Sequence, residues 1–311
     1  MTIQSTNHVL MVRPAMFNYN CETSIDNAFQ QPISQNETET AENLAEKLQE
    51  SALAEFNDLA DTLRKLGVRV EILFDSISPY TPDSIFPNNW FSTHEGTLIL
   101  YPMMAKNRQL EVTKFAPDLI EIYQPQQTLD FTSYTRDGIA LESTGAMIFD
   151  RRNGRIYASL SNRCNADLLQ KVAATLDYEA ISFRSQHLGM PIYHTNVLLS
   201  LGTDIALIGT SLIDIENRHT VIENLAADRE IVELSPQQIT KFAGNMLELR
   251  GADGPFLLMS STAYSSLETS QISQIEKYLP ICSVNVATIE KLGGGSVRCM
   301  VGEIFSQMHH E

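Results

Sequence analysis

The chain has 311 residues, about twice a common domain size, yet large barrels and propellers reach this length as one unit, so length alone allows one domain or two. Apolar residues make up 43% and charged residues 19%, which excludes a disordered chain. A net charge of −16 would repel a phosphate backbone or an anionic lipid surface and argues against nucleic acid and membrane partners.

The N-terminal MTIQSTNHVLMVRPAMF lacks the basic start and long apolar core of a signal peptide, and no run approaches 18 apolar residues. A soluble, cytoplasmic protein is expected. HVLMVRP reads as a strand, and the following NYNCETSIDNAFQQP is a candidate lid by composition and position, with a loop of no function equally compatible. From Glu37 to Leu66, leucines at 44, 48, 59, 63 and 66 fall at helical spacing and Gly67 stops the pattern. VRVEILF then reads as a strand, so the opening unit is α/β.

Further along, one format recurs: a polar motif, an apolar strand, a short Gly or Asp turn, and a second strand. It occurs in FPNNWFSTHEGTLILYP, LESTGAMIFDRRNGRIYASLS, YHTNVLLSLGTDIALIGTS and AGNMLELRGADGPFLLMSST, with GGGSVRCMVGEIF as a fifth copy whose second strand is not obvious. Asn89 to Gly145 is 56 residues, Glu142 to His194 is 52, Asn196 to Asn245 is 49, and Asn245 to Arg298 is 53. Helical patterns fill the intervals, in NADLLQKVAATLDY, DIENRHTVIENLAA, SPQQITKFA and LETSQISQIEKYL. A repeat near fifty residues suggests a ring of similar units, each burying its faces on its neighbours, with the polar motifs converging on one central site. One domain over residues 1–311 with about fivefold pseudosymmetry is expected, against an alternative of two independent α/β domains, which the absence of a Pro/Gly/Ser-rich linker disfavours.

Cys21, Cys164, Cys282 and Cys299 are scattered without a C-x-x-C pair, so three of them are expected to be small buried apolar residues. In-phase positions of the repeat carry reactive types: Glu142 in LESTG, His194 in YHTN and Cys299 after the three glycines of GGGSVRC. A thiol nucleophile needs a nearby base, and a carboxylate can orient that imidazole. Each residue alone has a plain structural alternative, a core cysteine or a hydrogen-bonded histidine.

Over essentially its whole length the chain resembles the guanidine-modifying superfamily, the pentein α/β-propellers that include arginine deiminase, dimethylarginine dimethylaminohydrolase and the amidinotransferases. VLMVRP, PDSIFPNNW, LESTG, YHTN and GGGSVRC stand in the family's order. Within the superfamily it looks closest to the bacterial citrulline utilization hydrolases, described as amidinotransferase-like proteins. The resemblance implies a five-bladed α/β-propeller, with Cys299 as nucleophile, His194 as general acid and base, and Glu142 as the carboxylate beside the substrate nitrogens and the histidine. It also implies Arg163, in SLSNRCN, as a holder of the substrate carboxylate, Arg108, in MMAKNRQLE, as another, and Asp83 as an acid near the substrate's polar end. Surface arginines and an Asx-turn aspartate beside Pro82 are the plain alternatives.

The chain departs from its relatives at two positions, where PNNW places Asn89 and HTN places Asn196 in the stead of aspartates. Both changes remove charge and keep hydrogen-bonding capacity, which fits a neutral ureido group better than a guanidinium. The leading expectation is hydrolysis of L-citrulline to ornithine, ammonia and carbon dioxide through a carbamoyl thioester on Cys299. The alternatives are a guanidine-modifying enzyme (arginine deiminase, dimethylarginine dimethylaminohydrolase or amidinotransferase) and a non-catalytic pentein acting as a binding module. Trp90 either walls the pocket or is core. No residues show metal-ligand spacing, His309 and His310 included, and the chemistry needs no cofactor. The expected partner is a small citrulline or arginine derivative, and a homo-oligomer is compatible with the sequence.

Overall fold

A computed structural model describes residues 3–32 and 41–305. The fold is mixed α/β, and it repeats one topology in five three-stranded sheets: an antiparallel pair, then a helix-bearing crossover, then a third strand parallel to the second. Four sheets run in chain order. They are Phe91–His94 with Thr97–Leu100 and Gln127–Asp130, Ile148–Asp150 with Arg155–Ser159 and Glu179–Phe183, Leu199–Leu201 with Ile205–Ile208 and Glu230–Glu233, and Leu247–Gly251 with Gly254–Ser260 and Ile281–Val284. The four expected hairpins are therefore present.

The fifth sheet supplies the second strand that the sequence did not reveal. Gly302–Glu303 pairs antiparallel with His8–Arg13, Val9 opposite Glu303, and His8–Arg13 pairs parallel with Arg69–Phe74. Two ends of the described chain thus build one sheet. No local pattern could show this, because the partner strand lies almost a full chain length away.

The long helix spans Ala41–Lys65, and the expected residues Glu37–Thr40 lie outside the described range. It buries Ala52, Phe56, Leu59, Ala60 and Leu63, one stripe at helical spacing, and it ends before Gly67, whose φ of 86° suits only a residue without a side chain. Second strands such as Ile205–Ile208 are buried on both faces, as expected where a strand has neighbours on both edges and helices above it. Ile148–Asp150 packs beside Leu199–Leu201, which packs beside Leu247–Gly251, and Gly302–Glu303 packs beside Phe91–His94. No described helix is long and apolar enough to cross a membrane.

Candidate active site

A tight turn precedes the first strand of each sheet, and these turns carry the polar motifs. They are Pro87–Asn89, Ser143–Ala146, Thr195–Leu198 and the turns at 242–245 and 296–300. Hydrogen bonds link them in succession. Asn88 Nδ2 donates to Thr144 Oγ1 (3.3 Å), Thr195 Oγ1 to the Ala146 carbonyl (2.6 Å), and Asn245 Nδ2 to the Asn196 carbonyl (2.9 Å). Asn245 and Asn196 then aim their Nδ2 groups at Cys299 Sγ, at 3.3 and 3.4 Å. Chain segments distant in sequence thereby meet at one sulfur.

Glu142 heads the second turn. The next residue, Ser143, has φ of 37°, a strained value for a non-glycine, and its Oγ donates to the Phe91 carbonyl at 2.5 Å to hold that shape. The Glu142 amide donates to the Arg163 carbonyl, so the acid and the arginine are placed together. Glu142 Oε2 lies 2.7 Å from His194 Nε2, and Oε1 accepts from the Met104 amide at 2.9 Å. Burial opposes ionisation of Glu142, but Arg163, the His194 hydrogen bond and Arg108 outweigh it and hold the carboxyl well below the usual range. Burial also moves the His194 imidazolium down from its ordinary value, with Glu142 pulling the other way. An ionised Glu142 accepting from Nε2–H leaves Nδ1 of neutral His194 as a lone-pair site. Gly145 makes room for this ring, since a Cβ there would lie 2.2 Å from Asn89 Nδ2 and 2.9 Å from His194 Nδ1.

Arg108 is placed differently from a free carboxylate clamp. Its Nε and Nη2 donate to both oxygens of Glu111 at 2.9 and 3.0 Å, Nη2 also to the Phe86 carbonyl at 2.8 Å, and Nη1 to Asn89 Oδ1 at 2.7 Å. The fork is committed, and one of its jobs is to orient Asn89. The opposite atom of that amide, Nδ2, is buried and has no hydrogen-bond partner among the described residues, and the same holds for Asn196 Oδ1 and Asp83 Oδ1.

Arg163 meets the segment that the sequence marked as a lid. Its guanidinium, 4.8 Å from the centre of the Tyr193 ring, donates from Nε to both oxygens of Asp26 at 3.1 Å, and from Nη2 to Asp26 and to the Thr23 carbonyl. Asp83 Oδ2 accepts from Asn20 Nδ2 (2.8 Å) and Thr23 Oγ1 (2.9 Å), while burial raises its carboxyl above the ordinary value. Asn27 Nδ2 reaches the Gly294 carbonyl at 3.3 Å, and Tyr193 Oη donates to the same carbonyl at 2.8 Å. The cavity enclosed by Asp83, Asn89, Arg108, Arg163, His194 and Cys299 measures about 20 Å³, with Thr23 and Asn27 in its wall. That is room for one water molecule.

Six of the eight residues expected at the site line this cavity; Glu142 stands behind it on His194, and Asn196 touches Cys299 from beside it. Trp90 is core instead: fully buried, with its ring centre 4.6 Å from that of Phe91 and near Phe115. Of the three cysteines expected in the core, Cys164 is buried and Cys282 partly so, while Cys21 is exposed because it sits in the covering segment. His309 and His310 lie outside the described residues. Sequence reasoning missed Asn245, Glu111, Asp26 and Thr23. Asn245 had a signal, its regular spacing from Asn196, whereas Asp26 had none.

A family model described as N,N dimethylarginine dimethylhydrolase, eukaryotic, matches residues 13–306. No curated protein sequence matches the chain at a significant level. Among solved structures, the N-terminal domain of ArgZ bound to its substrate, an arginine dihydrolase from the ornithine-ammonia cycle in Cyanobacteria, is similar at 17% identity and a TM-score of 0.75, with 97% of this chain and 99% of that one covered. The chain spans about two fifths of full-length ArgZ, 41%. DDAH from Pseudomonas aeruginosa complexed with citrulline is similar at 16% identity and a TM-score of 0.64, covering 96% of this chain and 99% of that one. The chain is a hydrolase of carbon–nitrogen bonds in the guanidine-modifying pentein superfamily, and it belongs to the N,N dimethylarginine dimethylhydrolase family.

Proposed function

We propose that this chain hydrolyses the ureido group of L-citrulline to ornithine, ammonia and carbon dioxide, with Cys299 as nucleophile, His194 as acid and base, and Glu142 orienting His194. The observation that carries the reading is the Asn89 amide. Arg108 can only donate, so it fixes Oδ1 towards itself and leaves Nδ2 as a buried donor without an acceptor. A ureido oxygen supplies that acceptor. A guanidinium offers donors only and would leave Nδ2 orphaned, at a cost of about 1–3 kcal/mol.

The steps follow from the same geometry. The Cys299 thiol proton passes to His194, the sulfur attacks the ureido carbon, and negative charge on the oxygen is met by Asn89 Nδ2. Asn196 and Asn245 donate to the sulfur while it is anionic, and the unpartnered Asn196 Oδ1 accepts a ureido N–H. The carbon–nitrogen bond to the ornithine side chain breaks as His194 returns its proton to the departing amine. Water, deprotonated by His194, then cleaves the carbamoyl thioester, and the carbamic acid released decomposes to ammonia and carbon dioxide. Arg163 and Asp83 hold the carboxylate and ammonium of the amino acid. The segment over residues 18–32 acts as a lid, since a one-water cavity admits substrate only when that segment moves.

The shared topology of the five sheets and the succession of turn-to-turn hydrogen bonds support a closed five-bladed ring forming one domain over residues 1–311. A second reading, a guanidino substrate, has one observation in its favour: the similar ArgZ domain belongs to an arginine dihydrolase. Separate incubations with L-citrulline, L-arginine and dimethylarginine decide between the two. Ornithine and ammonia from citrulline support the ureido reading, and conversion of arginine with citrulline left untouched overturns it.

The pH profile gives a further expected result. Neutral His194 is the active base, and burial lowers its folded pKa, so rate is lost only as pH falls through that lowered value. The acidic limb of kcat/KM should lie below the ordinary histidine value of about 6.5. In Glu142→Gln, which removes the carboxylate that favours the charged ring, the limb should move to still lower pH, and a limb that stays put would separate Glu142 from His194 function.

A further inference from the structure

The covering segment puts a carboxylate on the cation of the site and two donors on its anion. Asp26 takes Nε and Nη2 of Arg163, the Thr23 carbonyl takes Nη2 as well, and Nη1 stands 3.5 Å from Glu142. Asn20 and Thr23 cover one oxygen of Asp83. This is the hydrogen-bonding complement of an α-amino acid, one carboxylate and one set of N–H or O–H donors, supplied by the chain itself. Arg163 is buried and fully engaged, so it cannot bind a second carboxylate without releasing Asp26. Asp26 has somewhere to go: its side chain is about a quarter exposed, at 26%, and it lines a neighbouring cavity of about 400 Å³ whose wall includes Lys241 and Lys291.

We propose that Asp26 is a specificity-determining residue, holding Arg163 in the free enzyme and exchanging with the α-carboxylate of the substrate. This rests on the reading that the substrate is an amino acid, whether ureido or guanidino. A ligand without a carboxylate does not compete with Asp26 for Arg163, so it draws nothing from that exchange. Entry then costs each amino acid the loss of the internal contact, which lowers its apparent affinity by the fraction of molecules already open.

The test compares Cys299→Ala with Cys299→Ala/Asp26→Asn by calorimetric titration with L-citrulline and with N-(4-aminobutyl)urea, its decarboxylated counterpart. Asp26→Asn should tighten L-citrulline about five- to tenfold and leave the urea within about twofold. Equal L-citrulline affinities, or equal tightening of both ligands, overturns the exchange. If L-arginine binds and L-citrulline does not, the ureido reading has failed by itself, and the same ratio is taken with L-arginine and (4-aminobutyl)guanidine. Binding of neither amino acid to the Asp26→Asn protein also overturns the proposal. Should that variant not fold, amide hydrogen exchange in Cys299→Ala supplies the second readout: the amino acid should raise exchange at residues 23–27 and the decarboxylated ligand should not, and unchanged exchange counts against the proposal.

Discussion

Ornithine release from L-citrulline by the Cys299→Ala protein is expected to fall by at least about a thousandfold, the loss that follows when a covalent nucleophile is removed and only binding and oxyanion contacts remain. The sulfur is buried between two asparagine amides and lines the same cavity as His194 and Asn89, and among the described residues no other thiol lines that cavity. Cys164 cannot substitute: it is buried, with burial pushing its thiol up to about 12, and it is not part of the cavity wall. The fold should survive the change, because the alanine removes one sulfur and leaves the hydrogen bonds between the turns in place. Acid-quenched wild-type enzyme should carry one carbamoyl group on Cys299 by mass spectrometry. A variant that retains a tenth of wild-type turnover would sink the covalent route.

Asn89→Asp carries the second large effect. The aspartate keeps an oxygen for Arg108 Nη1 and presents its other oxygen where Nδ2 was, so a donor to the ureido oxygen becomes an acceptor facing it. Loss of one oxyanion donor costs about a hundred- to a thousandfold in kcat, and repulsion between two oxygens adds to that. Turnover of L-citrulline should drop by that range, and any binding of L-arginine should strengthen because a guanidinium gains a counter-charge. Steady-state rates and calorimetry with both ligands check the pair of effects. Unchanged citrulline kinetics would mean that Asn89 does not touch the reacting group.

How much of this was legible in the sequence differs by element. The repeat exposed the four hairpins and the positions of Glu142, His194 and Cys299, because sheet alternation and turn residues are local signals that survive without tertiary context. The fifth sheet was half hidden: Gly302–Glu303 is only two residues long and is defined by its partner His8–Arg13, not by its own pattern. Asn89 stood out in PNNW, yet its orientation depends on Arg108, whose commitment to Glu111 is a three-residue helical spacing that reads as an ordinary surface pair until burial is known. The expected use of Arg108 as a carboxylate clamp took no account of that commitment. Asp26 was invisible because a polar loop offers no periodicity, and its meaning lies wholly in reaching Arg163 across the fold.

The sheet that joins Gly302–Glu303 to His8–Arg13 fixes when the cavity around Cys299 can be completed. The turn that carries Cys299 leads directly into that two-residue strand, so its docking awaits a segment synthesised some three hundred residues earlier. During synthesis the N-terminal strand stands with one edge vacant, and the asparagines that cradle the sulfur have nothing to hold. The thiol meets His194 and its asparagine donors only when the two ends of the described chain are zipped together, so assembly of the cavity is coupled to completion of the fold.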